Sequence, residues 1–218
     1  MVLAVLAAAL LLSGCTVEIA GVARPDPRGP GVALSADGAG IVAGFPDAPV
    51  QLELFTEPQC QPCAFLQYDF GDQFREHLDS GRLALTYRPM AFLDPTLGTG
   101  YSATVTNALF TAVDPATSAG GFQFFVQQLW VHQDLAETAY SDADFADIAA
   151  GSGLAPGLVE SIGRGRVAVD TADVATTNAA LLEQILGRVA TPVVYDIEAR
   201  SIVDTTDPDW LTNLMRTV

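Results

Sequence analysis

Val50-Gln51-Leu52-Glu53-Leu54-Phe55, then Thr56-Glu57-Pro58-Gln59, then Cys60-Gln61-Pro62-Cys63 is the stretch on which the fold turns. The first six residues are an apolar run bounded by turn formers, which predicts a strand. Behind the cysteines, Leu66, Phe70, Phe74 and Leu78 recur four apart and predict a helix over 60–78, ended near Ser80-Gly81. A strand that hands a C-x-x-C pair to the first turn of a helix suits thiol–disulfide chemistry. The chain has 3 cysteines. Cys15 belongs to the N-terminus and is read separately, so the remaining two thiols are the pair.

The N-terminus reads as an export signal. Val2 to Leu12 is an unbroken apolar run, too short to span a bilayer and of the length of a signal's apolar region. Leu12-Ser13-Gly14-Cys15 resembles a bacterial lipobox, which implies that residues 1–14 are a lipoprotein signal peptide and that Cys15 is lipidated. A plain secretory signal or an uncleaved apolar end is the alternative. Residues 15–40 are rich in Gly, Pro and Ala, show no lasting period, and predict a flexible tether, with Val32 to Leu34 the one part suited to a packed arm. The 26 acidic residues outnumber 10 basic ones, all arginine, for a net charge of −16. That balance argues against nucleic-acid binding and against electrostatic adhesion to anionic lipid. On the lipobox resemblance, membrane attachment is expected through a lipid at Cys15. An exported context is oxidising, so a paired disulfide can persist there. A loop of two residues removes little chain entropy, which makes a purely stabilising disulfide the weaker account.

Further along, Gly40 to Gly44 is a short apolar run before the proline turn Phe45-Pro46-Asp47-Ala48-Pro49. Leu83 to Arg88 alternates as a strand stopped by Pro89. Residues 99–187 read as mostly helical. Helices are expected over 103–113, 121–132, 142–150, 157–162 and 171–186, and the period then changes to strands over 192–195 and 201–203. A helix over 207–215 closes the chain. The coarse order is β, β, α, β, several helices, β, β, α.

That order, with these residues in it, resembles the thioredoxin superfamily and its DsbA-like branch over about residues 40–218. Four places carry the resemblance: Gly44-Phe45-Pro46-Asp47-Ala48-Pro49-Val50 ahead of the central strand; Phe55 to Cys63; Gly121-Phe122-Gln123-Phe124-Phe125 through Leu129-Trp130; and Val189-Ala190-Thr191-Pro192, about 130 residues after the cysteines and just before a strand. It implies an α/β thioredoxin fold over 41–218, with a helical insertion at about 99–187 between the second and third core strands.

The resemblance also implies roles. Cys60, at a helix N-terminus where unpaired amides and the macrodipole favour negative charge, is the nucleophile. Cys63, one turn in, resolves the mixed disulfide. Gln61 and Pro62 form the active-site loop and tune the potential, and proline is tolerated in a first helical turn. Ala190, Thr191 and Pro192 form a substrate-binding loop with a cis Thr191-Pro192 bond, whose backbone pairs with an extended client chain. The partners implied are client proteins with thiols or disulfides and a redox partner that recycles the pair. No organic cofactor and no metal are called for. The family often carries a buried acid six residues before the first cysteine. Here that position is Leu54, Glu53 points to the opposite strand face, and both Glu53 and Glu57 are expected to be solvated.

Rival readings use the same residues. Zinc needs four ligands, and only His77, far down the same helix, and His132 remain as donors. A copper chaperone would use the two thiolates with a nearby methionine, for which Met90 is placed at a strand end. A non-catalytic thioredoxin-like binding lipoprotein would retain the pair incidentally. Trp130, Phe122, Phe124 and Phe125 are expected in the core or beside a client groove. Arg88 is expected in a surface pair, His132 at an exposed helix end, and the acidic runs from Asp142 and Asp204 at helix starts.

Overall fold

The computed structural model describes residues 29–133 and 140–216. The signal peptide, Cys15 and the tether as far as residue 28 lie outside them. Six strands form one sheet in the order β1-β2-β4-β3-β5-β6. They are β1 (Val32–Leu34), β2 (Ile41–Ala43), β3 (Val50–Thr56), β4 (Leu83–Pro89), β5 (Val193–Asp196) and β6 (Ser201–Ile202). β3 and β4 are parallel, with Leu54 opposite Tyr87, and β5 runs antiparallel on the other side of β3, with Val194 opposite Leu54. The parallel pair needs a crossover, and helix α1 (Gln61–Asp79) supplies it. β4 is buried at every position and β3 at all but one, as expected of central strands covered on both faces.

Strand alternation sorts the core into two layers. Leu52, Leu54, Leu85, Tyr87 and Val194 join the main cluster, which includes Leu66, Phe70, Phe74 and Leu78 of α1 and Phe122, Phe125, Leu129 and Trp130 of helix α4 (Ala119–Val131). The four-residue spacing read in α1 is thus its buried face. Trp210, on the closing helix α8 (Trp210–Met215), sets its ring 5.3 Å from that of Phe70. On the opposite face, Phe55, Met90 and Val193 pack with Leu182 of helix α7 (Thr171–Leu186). Between β4 and α7 lie helices α2 (Asp94–Leu97), α3 (Tyr101–Thr111), α4, α5 (Asp142–Gly151) and α6 (Pro156–Gly163). The architecture is the expected mixed α/β sheet with a helical insertion. Helix α2 adds to the expected set; a single turn is too short to show a period.

Three expectations need correction. Packing begins before residue 41: Val32–Leu34 pair with β2, and the Ala119 amide donates to the Pro30 carbonyl at 2.9 Å. Gly44 keeps that hairpin close to β4. Its φ is +112°, and a Cβ there would sit 2.5 Å from the Leu83 carbonyl oxygen. Second, Arg88 is 6% exposed, not at the surface. Its guanidinium donates to Glu53 from Nε at 2.9 Å and from Nη2 at 2.7 Å, and to Asp37 from Nη1 at 2.7 Å. Asn178 of α7 accepts from the same Nη1 at 3.4 Å and donates to the carbonyls of Ala39 and Pro89. Third, Glu53 is therefore a buried ion-pair partner and not a solvated charge. It does lie on the strand face opposite Leu54. Burying charges is costly, and here the carboxylate's cost is offset by a fork of guanidinium donors.

Candidate active site

Cys60 is the N-cap of α1 (φ −80°, ψ 114°), and no side chain caps the helix. The first-turn amides are thus left to the sulfur and to the Cys60 carbonyl, which accepts from the Cys63 amide at 3.0 Å and from the Ala64 amide at 3.2 Å. Gln61 and Pro62 are exposed, with proline in the first turn, where its missing N–H costs no helical bond. Cys60 is half-buried and Cys63 fully buried; both are free thiols. A hydrogen bond from the Cys63 thiol is the foremost influence holding the Cys60 thiol down, at about 6. Burial opposes it, and the Thr191 side chain and the Cys63 amide add to the lowering. Burial pushes Cys63 far up, and the neighbouring Cys60 sulfur reinforces this. One sulfur is therefore an anion near neutrality and the other a protonated thiol.

The Thr191-Pro192 bond is cis. The Cys60 thiol donates to the Thr191 carbonyl at 3.4 Å. Ala190, Thr191 and Pro192 are all half-buried, and a groove of about 560 Å³ runs beside them, lined also by Arg188, Ile202 and Val203. Both parts of the predicted site, 131 residues apart, thus meet at one sulfur. Cys15 lies outside the described residues.

Other candidates fall elsewhere. Phe122, Phe125 and Trp130 are buried in the core, and Phe124 lies under the Arg75 guanidinium at 5.2 Å, so none of them lines a groove beside the pair. The exposed aromatics on α1 are Phe65 and Tyr68, the latter 74% exposed. Met90 is 1% exposed and packs against Phe55, Leu182 and Val193. His77 sits in the last turn of α1, and His132 is an exposed helix C-cap. Among the described residues no three His, Cys, Asp or Glu side chains gather as a metal site.

Glu57 is the residue that sequence reasoning misplaced. It is 0% exposed, and burial raises its carboxyl to about 7 despite hydrogen bonds from Ser102 and from the Gln59 amide. The Gln59 amide donates to Glu57 Oε2 at 2.7 Å, and the Ser102 hydroxyl donates to Oε1. The Gln59 side chain donates to Asp94 Oδ1 at 2.8 Å and to Ser102 Oγ at 3.0 Å. Gln133, just beyond the C-cap of α4, donates to the carbonyls of Pro58 and Cys60. Asp94, Ser102 and Gln133 come from segments far along the chain, so no local pattern marks them. The only sequence signal is a carboxylate three residues ahead of the first cysteine.

A thioredoxin family model matches residues 36–200, and the chain belongs to that family. Its fold is that of the DsbA-like members. MdbA of Corynebacterium diphtheriae, a thiol-disulfide oxidoreductase, superposes with a TM-score of 0.67 at 22% identity, covering 84% of this chain and 92% of that one. DsbA of Mycobacterium tuberculosis gives 0.64 at 19%, covering 87% and 92%. The chain is also 26% identical over 180 residues to the serine/threonine-protein kinase PknE of Mycobacterium tuberculosis. That match takes in 81% of this chain and 31% of the kinase, so the chain spans about a third of that relative's length.

Proposed function

We propose that this protein is an extracytoplasmic thiol–disulfide oxidoreductase that exchanges disulfides with client proteins. One observation carries the reading: the Cys60 sulfur is half-exposed at a helix N-terminus, held as an anion by Cys63 and facing Thr191. The thiolate is the nucleophile of exchange. As reductant, Cys60 attacks a client disulfide, forming a mixed disulfide and releasing one client thiolate. Cys63 then loses its proton and attacks Cys60 Sγ, and the second client sulfur leaves with the electron pair. As oxidant the same steps run backward: a client thiolate attacks Cys60 in the Cys60–Cys63 disulfide and Cys63 leaves. A stabilised Cys60 anion is a better leaving group and makes the pair more oxidising than an unperturbed dithiol.

The cis loop supplies the second half of the site. When Cys60 ionises, the Thr191 carbonyl loses its donor and becomes available to an extended client backbone beside the groove. The redox centre is the cysteine pair itself, recycled by a separate redox partner. The lipobox-like Leu12-Ser13-Gly14-Cys15 supports anchoring through Cys15 to the outer face of the membrane, with the Gly/Pro-rich tether between anchor and domain.

The test is trapping. Cys63→Ser, incubated with reduced or oxidised client, should accumulate mixed disulfides on Cys60, resolvable on non-reducing gels. Cys60→Ser should lose at least about 10²-fold in exchange rate, as expected when the low-pKa nucleophile is removed. Equal and undiminished exchange by both variants would end this reading.

A further inference from the structure

The groove beside the cis loop carries charge as well as apolar surface, and its two charges are unequally committed. Two stretches of chain line it. One runs from Leu186 through the cis loop into β5 and brings Arg188; the other runs from Ile202 to Thr206 and brings Asp204. Asp204 is already supplied with donors. Its Oδ1 takes the Thr206 amide at 3.0 Å and the Thr206 hydroxyl at 2.6 Å. Arg188 is exposed, and among the described residues it joins no ion pair, with Asp204 or with any other acid, and donates to no acceptor. Arg75, Arg88 and Arg164, by contrast, each sit on a carboxylate. A guanidinium presents its N–H donors in a fixed fork that matches a carboxylate. Arg188 precedes Thr191 by three residues, and the Thr191 carbonyl is the atom that the Cys60 thiol reaches at 3.4 Å. An uncommitted cation thus stands in the groove wall close to the reactive sulfur.

We propose that Arg188 makes the groove selective for clients with an aspartate or glutamate within about four residues of the reacting cysteine, the reach of an extended chain laid from Cys60 along the cis loop. The inference rests on the proposed exchange at Cys60 and names its client class. The molecule as a whole works against such clients, because a net charge of −16 repels acidic segments at long range. The selection therefore comes from contact, inside a screening length of about 8 Å at physiological salt. The apolar surface beside Arg188, which includes Pro192, Ile202 and Val203, receives the neighbouring client side chains.

The model clients are peptides capped at both ends, each with a single cysteine held as its 2-pyridyl disulfide. The Cys60 thiolate attacks the peptide sulfur, a Cys60–peptide disulfide forms, and 2-thiopyridone leaves with the electron pair; its absorbance gives the rate. The peptides differ at one residue, Glu, Gln or Lys, moved through each position out to about four on either side of the cysteine. The Glu-to-Gln rate ratio of wild type is divided by that of Arg188→Ala, which cancels the peptide's own reactivity. At the matching position that quotient should be about two- to fivefold, the worth of an exposed ion pair, and should shrink as salt is added. Arg188→Glu should turn the preference toward Lys. Arg188 is exposed, so its replacement spares the fold. A quotient of one at every position, or a wild type that prefers Lys as its net charge alone would dictate, overturns the inference while exchange itself continues. Release no faster than that of Cys60→Ser with every peptide would sink the proposed function and this inference with it.

Discussion

The two sulfurs of the pair are one helical turn apart, and burial separates their chemistry. Cys60 stands at the rim, where the Cys63 thiol, the Thr191 side chain and the Cys63 amide favour its anion. Cys63 is closed off, and its charged form lacks solvation. In the proposed exchange, position in one turn of helix sets which cysteine attacks and which resolves. Alkylation of the reduced protein by iodoacetamide should label Cys60 first. Its rate should rise through a midpoint near pH 6 and level off above it, since the thiolate alone reacts. A midpoint at the ordinary thiol value of 9.0 would show that the helix terminus does not stabilise the charge.

At the scale of elements, the site depends on β3 and β4 ending at the same height. Register places Thr56 opposite Pro89, and the Met90 amide donates to the Thr56 carbonyl at 2.8 Å, just before the loop that leads to Cys60. Just earlier in β4, Arg88 clamps that strand to β3 through Glu53, to the β1–β2 hairpin through Asp37 and to α7 through Asn178. Arg88→Ala leaves Glu53 buried without its partner. It should lower the unfolding free energy by about 3–5 kcal/mol in urea titrations. Restoring much of that loss with Glu53→Gln in the same chain would confirm that the penalty lies in the orphaned carboxylate. A loss below about 1 kcal/mol would mean that water reaches the pair.

For the whole molecule, the redox state and the fold are linked through protons. The folded protein holds the Cys60 thiol near 6, below its ordinary 9.0, so the thiolate stabilises the folded state. That contribution is fully present above about pH 9 and is lost as pH falls through 6. Glu57 acts in the opposite sense. Its folded value of about 7 lies above the ordinary 4.5, so its contribution is present below 4.5 and is lost as pH rises through 7. Subtracting the stability of Cys60→Ser from that of reduced wild type cancels most of the Glu57 part. The difference should grow steadily between about pH 6 and pH 9 in denaturant titrations. Parallel curves across that range would refute the linkage.

Much of this protein is written locally. The apolar run of β3 and the four-residue spacing of α1 specify their own conformations, because dihedral preference and side-chain period act over a few residues, while the cysteine spacing and the Thr-Pro ahead of β5 are legible as motifs. Their order along the chain is enough to define the thioredoxin arrangement and to nominate Cys60, Cys63 and Thr191-Pro192. What only the tertiary structure decided is the environment of charge. Glu53, Glu57 and Arg88 look like surface residues in a strand-and-loop pattern, yet all three are buried. The sheet is covered on both faces, and their partners Asp37, Asn178 and Ser102 arrive from other segments. Burial and ionisation depend on which distant groups close over an atom, and that is a property of packing in three dimensions.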